Sequence, residues 1–498
     1  MSRNAQASRS LDLILRLFCL AQAMVCLRPF IFRGAIEASY RGGWEASLAS
    51  IASTAPPARW GVYAICAAVV VAGPRKVLLV ALALAHLIDV AVAISSNALS
   101  SGFAEKGLLV FVSLAAAGHV LLDRDDAETA AARMLGTLRA LAAVAFAMVA
   151  LNKFNADFLD AAQSCAGMLN AELGRRIPFA APLVPLLDVT PWLSFMMEAL
   201  LLPLLLFRPR IGVAYVWAFF TNVALVGPMS TCLVVMSLAL VFLPRSDWEE
   251  LARPTLKRAG VVAAAFVLAS IFWTAALSQT GQLGIGQFPS RLLFLTIALS
   301  GLAGLVLNAR RDLSAARSGG AGDEEGDSPV EREASSFRGA PRAVAVMAWV
   351  LVGLFCLNEA APHLGLKTKY SLTMWSNLRS DAGRANSYVF PEWLRLSRNV
   401  DDALLRVDQI EAKRRSPDSA LLVSFVAGHR SAAAHLKRLE ASQGRLQFRV
   451  RSAEEELTFE GAGSGSAFER FVVRNQPAVD VFDGRIMTLG RPQPCLGP

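Results

Sequence analysis

The sequence predicts an all-α polytopic membrane bundle of about eleven transmembrane helices, followed by a small C-terminal extramembrane α+β domain. Three observations predict it. Of 498 residues, 54% are hydrophobic and 18% are charged, whereas soluble domains carry about 25% charged residues. Apolar runs recur from residue 11 to residue 359, many of them near the roughly 18 residues that cross a bilayer core as a helix. Beyond residue 360 these runs stop and shorter, charge-rich patterns begin. Together these exclude a single soluble enzyme, a disordered chain and a collagen-like fibre.

The spans fall at 11–31, 59–73, 76–95, 107–122, 133–151, 192–207, 211–226, 229–243, 259–277, 290–308 and 343–359. The first follows a basic start (Arg3, Arg9) and has no small-residue cleavage site after its apolar core. It therefore reads as an uncleaved first span. Basic residues then occupy alternate turns: Arg75-Lys76, Arg208-Pro209-Arg210, Arg245 to Arg258, and Arg310-Arg311. The positive-inside rule puts those turns and the N-terminus in the cytoplasm. The turns at 32–58, 96–106, 152–191, 227–228 and 278–289 then lie outside, as does the C-terminal tail, which in a bacterium means the periplasm.

Four regions follow: a transmembrane bundle at 1–308, a linker at 309–342, a last transmembrane helix at 343–359 and a tail at 360–498. The linker runs Ser-Gly-Gly-Ala-Gly-Asp-Glu-Glu-Gly-Asp from Ser318 to Asp327, a composition too polar to order itself, so a disordered cytoplasmic loop is expected. In the tail, 401–413 and 429–440 carry helical patterns, and Leu446 to Arg451 alternates as a strand does. Glu469 to Val473 and Val479 to Phe482 suggest further strands, and Asp483-Gly484 is a hairpin-turn signal.

The net charge of +9 falls in loops rather than in a basic stripe interleaved with aromatics, so no nucleic-acid partner is expected. The seven cysteines show no CxxC spacing, and no metal site is predicted. Cys165 and Cys495 both fall on the outer side, where a disulfide between them is chemically permitted. No histidine lies between His119 and His363, which removes imidazole chemistry from the successive spans between them.

Ionisable groups within or beside spans are costly and point to function. Asn152-Lys153-Phe154-Asn155-Ala156-Asp157-Phe158-Leu159-Asp160 stands at the outer end of the fifth span. A lysine held in a poorly hydrated pocket can serve as base or nucleophile; the alternative is a lysine that reaches the interface and offsets the negative end of its helix dipole. Glu198 lies mid-span just before Pro203, where its carboxyl either meets a substrate or locks two helices. His86 and Asp89, at i,i+3 on the third span, share a face. Gly365 to Arg379 mixes basic and aromatic residues, which suits either an interfacial anchor or a cover over the bundle's mouth.

Lys153-Phe154-Asn155-Ala156-Asp157-Phe158 resembles the Lys-Leu-Asp-Ala-Asp-Trp motif of vitamin K-dependent gamma-carboxylase. Asp-Phe-Leu-Asp with Ser164-Cys165, Glu198 with Pro203, and the stretch from His363 to Arg379 resemble bacterial members of the wider group, the horizontally transferred transmembrane (HTTM) domain family. The resemblance covers about residues 10–400. It implies Lys153 as the catalytic base, Asn155, Asp157 and Glu198 as binding residues, and a reduced quinone as the cofactor. The chain departs from the carboxylases in having Asn97-Ala98 where they carry Asn-His, and its tail is short. The expectation is therefore a related quinone or lipid chemistry at the outer leaflet of a bacterial inner membrane rather than full carboxylation. The alternative is a non-enzymatic maturation factor or partner for a secreted peptide or membrane subunit, since some bacterial relatives serve maturation of a secreted peptide toxin. Beyond the lipid bilayer, such a peptide or membrane protein is the expected partner.

Overall fold

The structure is a computed structural model that describes residues 8–21, 77–80, 103–161, 163–167, 189–226, 229–243, 340–364, 386–396, 404–412, 425–452, 455–463, 465–475 and 486–488, with a few single positions besides. Most of the described residues are helical. Helix α1 (Phe103–Leu122) and helix α2 (Ala127–Lys153) form an antiparallel hairpin. Asp126 caps α2, its Oδ1 accepting the N–H groups of Glu128 and Thr129 at 3.0 and 2.9 Å. This satisfies two of the donors that a helix start leaves free. The Arg133 guanidinium closes the hairpin by pairing with Asp123 at 2.8 Å and Asp125 at 2.6 Å.

Helix α2 is the centre of the bundle. Ala131, Met134, Leu135, Leu138, Leu141, Ala142, Ala145 and Phe146 are all buried, and the alanines let neighbouring helices approach closely. After a short helix α3 (Ala156–Leu159), α4 (Thr190–Ala199) and α5 (Leu201–Phe207) form one apolar rod broken at Leu200. Pro203 lacks the N–H that would bond to the carbonyl four residues back, which accounts for the break. Only Arg208 separates α5 from α6 (Pro209–Val226), and proline at a helix start needs no N–H. Helix α7 (Met229–Ala239) returns alongside, where Trp217 Nε1 donates to the Met236 carbonyl at 2.9 Å. Helix α8 (Arg342–Ala360) packs against α1 and α2.

Among the described residues three stretches are long and apolar enough to cross a membrane: Ala127–Lys153, Thr190–Phe207 and Arg342–Ala360. Their outward faces are apolar too. On α8, Val344, Ala348, Leu351 and Phe355 face inward, while Val346, Trp349, Val350, Leu354 and Leu357 are exposed, Trp349 by 76%. A helix apolar on both faces suits a lipid solvent, not water. The expected spans 107–122 and 229–243 correspond to shorter apolar helices, and 211–226 lies within α6. Residues 11–21 of the first expected span are helical, while its remainder, the spans 59–73 and 259–277 and most of 76–95 and 290–308 lie outside the described residues, as do His86, Asp89 and linker residues 309–339.

The tail contains a small α+β unit. Among the described residues five antiparallel strands run in the order β4-β3-β1-β2-β5: β1 (Leu404–Ala412), β2 (Phe425–Gly428), β3 (Leu446–Arg451), β4 (Glu456–Glu460) and β5 (Ile486–Thr488). Helices α9 (His429–Gln443) and α10 (Ala467–Asn475) cover one face. Phe448, Phe459, Phe468 and Phe471 pack with ring centroids 5.0–6.4 Å apart. The helix expected over 401–413 is instead strand β1. A bulge between Asp408 and Glu411, with Gln409 at φ 49°, shifts the inward set from Leu405 and Val407 to Ile410. That three-residue step imitates a helical period in the sequence. The strand expected over Glu469 to Val473 is helix α10, in which Phe468, Phe471 and Val472 are buried at helical spacing. Its β-branched and aromatic composition had suggested a strand. Val479 to Phe482 and Asp483-Gly484 lie outside the described residues.

Candidate functional site

The motif Asn152 to Asp160 lies where α2 ends. Phe154 stops the helix, and Asn155 is extended at φ −144° and ψ 159°. The Asn155 Oδ1 caps α3 by accepting the Phe158 N–H at 2.9 Å. Its amide donates to the Asn152 and Ser376 carbonyls, and Oδ1 also accepts from Asn386 at 3.2 Å. Every donor and acceptor of this side chain is thus used within the protein. Asn386 also donates to Asp157 Oδ2 at 2.9 Å. Backbone bonds run from Ala156 N–H to the Asn386 carbonyl and from Tyr388 N–H to the Phe154 carbonyl. The segment after α8 therefore forms a strap stitched across the end of α2.

Lys153 faces elsewhere. Its Nζ pairs with Glu198 Oε1 of α4 and lies 5.3 Å from the centroid of the Phe158 ring. Phe154 stacks on Phe195 at 5.0 Å and meets Tyr388 at 5.2 Å, forming an aromatic wall beside the pair. Glu198 is 2% exposed, and its Oε2 has no hydrogen-bond partner among the described residues. A buried ion pair is held by geometry and hydrogen bonding against a large desolvation cost. An acceptor left open beside it is able to take a hydroxyl donor.

Of the four residues singled out by sequence, the fold brings Lys153 and Glu198 into contact. It joins Asn155 and Asp157 to the strap instead. Sequence reasoning missed Asn152, Glu359, Asn386 and above all His363. Asn152 Nδ2 donates to the Leu372 carbonyl at 2.8 Å, so its Oδ1 accepts from His363 Nε2 at 2.6 Å. Nδ1 is then the unprotonated nitrogen. Burial lowers the His363 pKa from 6.5 to about 4, keeping the ring neutral. The exclusion of imidazole chemistry is true of residues 120–362, but His363 reaches the end of α2 from beyond the last span. The sequence signals for it were its place at the head of the stretch His363 to Arg379 and the expected cover at Gly365 to Arg379. There, Leu372, Ser376 and Leu378 are buried, and Glu359 Oε2 accepts the Leu372 N–H at 2.6 Å.

Among the described residues no group of three His, Cys, Asp or Glu side chains could hold a metal ion. Cys165 is disulfide-bonded, Cys19, Cys232 and Cys356 are thiols outside any disulfide, and Cys495 lies outside the described residues. The fold and site define a mostly helical protein with helices long and apolar enough to cross a membrane and a polar cluster at one end of its central helix. No protein-family model, curated protein or solved structure matches this chain.

Proposed function

We propose that the chain is a multi-pass HTTM-type protein of a bacterial inner membrane, with about eleven spans, a cytoplasmic N-terminus and a periplasmic tail, and that Lys153 is the base of a quinone or lipid site at its outer leaflet. The observation that carries this reading is the buried Lys153–Glu198 pair beside Phe154, Phe195 and Tyr388. The end of α2, the α4 segment bearing Phe195 and Glu198, and the residues after α8 meet at this one place. The residues fit a flat hydroxylated ring: aromatic side chains offer a face for it, and Glu198 Oε2 offers an open acceptor. A reduced quinone, when bound, supplies an acidic ring hydroxyl. Lys153 Nζ takes that proton when the pair is in its uncharged amine–carboxylic acid form, and the ammonium so formed stays against Glu198 Oε1.

The test is thermal unfolding of the native protein and of Lys153→Ala in nanodiscs, titrated with reduced and oxidised quinones. The native protein should be stabilised by the reduced form, by about 2.7 kcal/mol at a hundredfold excess over Kd, and Lys153→Ala should not. No shift in the native protein with either form overturns the quinone reading. A second reading, a maturation factor that binds a secreted peptide or membrane subunit, is favoured by the tail's separate aromatic core. Loss of function on deleting 404–488, with Lys153 dispensable, would select it.

A further inference from the structure

Beyond the Lys153 site, and resting on the membrane reading above, the geometry points to Tyr388, Trp393 and Leu396 as a wedge seated in the outer leaflet at the boundary between headgroups and acyl chains, with the lipid bilayer as its partner. Trp393 is 79% exposed, Leu396 74% and Tyr388 59%. These side chains are held outward by an ordered backbone. Pro391 starts a 3-10 turn over Glu392–Leu394, the Phe390 N–H donates to Ser387 Oγ at 3.2 Å, and the Phe390 ring stacks on His363 at 4.1 Å.

Two features select lipid as the occupant. The first is continuity with the apolar surface of α8. Leu354 and Leu357 are exposed on its last turns, the helix ends at Ala360, and Leu396 N–H bonds to the Leu364 carbonyl at 3.0 Å. Helix α8 has 19 residues, about 28 Å of helix, so chain just past its end lies at the membrane interface. The second is composition. Trp and Tyr beside Glu392 and Arg395 match the aromatic belt that forms where apolar and polar layers meet. The same strap carries Asn386 onto Asp157 and Asn155, so its grip on lipid also holds the cover of the Lys153 motif in place.

Spin labels test this in nanodiscs, with Trp393→Cys, Leu396→Cys and Glu392→Cys each made in a background whose cysteines outside the Cys165 disulfide are replaced by serine. Accessibility is read with oxygen, which concentrates in lipid, and with a water-soluble nickel chelate. Labels at 393 and 396 should favour oxygen several-fold over the label at 392, which faces headgroups and water. Nickel access at 393 and 396 equal to that at 392 overturns the proposal. So does protection from both reagents, which would mean that protein covers the patch. A label at Leu357→Cys separates the two readings: oxygen access there with nickel access at 393 and 396 removes the wedge alone, while nickel access at 357 removes the membrane reading as well.

Discussion

Lys153 and Asn155 stand two residues apart, yet the end of α2 turns their side chains to different tasks. One joins Glu198 under an aromatic wall; the other knits α3 to the strap. His363 shows the same dependence on surroundings, and it gives a prediction in pH. The ring titrates near 6.5 when unfolded and at about 4 when folded. Between those values the unfolded chain binds more protons, so its contribution to stability is complete above about 6.5 and is lost as pH falls toward 4. The loss amounts to about 3 kcal/mol at the acid end. His363→Gln, which keeps a donor for Asn152, should flatten the stability profile across this window when unfolding is followed from pH 7 to pH 4. An unchanged slope would mean that the ring is hydrated in the native protein.

Elements are held by close approaches that hydropathy does not reveal. At Gly212 a Cβ would meet the backbone of Leu204 and Leu205 at 2.6 Å, so α5 and α6 can pack this tightly only around a glycine. Gly212→Val should destabilise the protein by about 1–3 kcal/mol through backbone displacement. At Gly353, by contrast, nothing lies within 4 Å of such a Cβ, and Gly353→Ala should be neutral or stabilising by up to about 1 kcal/mol through helix propensity. Thermal unfolding of both variants in one detergent compares them directly; equal effects would contradict the packing of α5 on α6. Strand β1 teaches a related lesson. Its bulge at Gln409 changes the inward register, and local periodicity then reads as a helix. The strand Leu446–Arg451 has no bulge, and its alternation was legible at once.

Across the whole molecule the exposed apolar surface governs behaviour in solution. Phe207 is 80% exposed and Trp349 76%, so the chain should fractionate with membranes and resist extraction by alkaline carbonate. Phosphatase fusions after residue 396 and after residue 488 should be active if the tail is periplasmic. A fusion after Arg208 should be inactive. Inverted activities would place the Lys153 end of the bundle at the cytoplasmic face. Hydropathy made the helices long and apolar enough to cross a membrane readable, because transfer to lipid depends on composition summed along one helix. For the same reason Lys153 and Glu198 stood out as charges beside or within apolar runs. That they are partners, 45 positions apart, was decided by how α4 packs on α2. That His363 meets Asn152 across 211 positions was decided by where the chain goes after α8. The sequence by itself determined which segments prefer lipid and which residues are costly there, since both are local properties. Only tertiary packing decided which of those residues meet, because their contacts depend on helix positions and a strap that no local periodicity encodes.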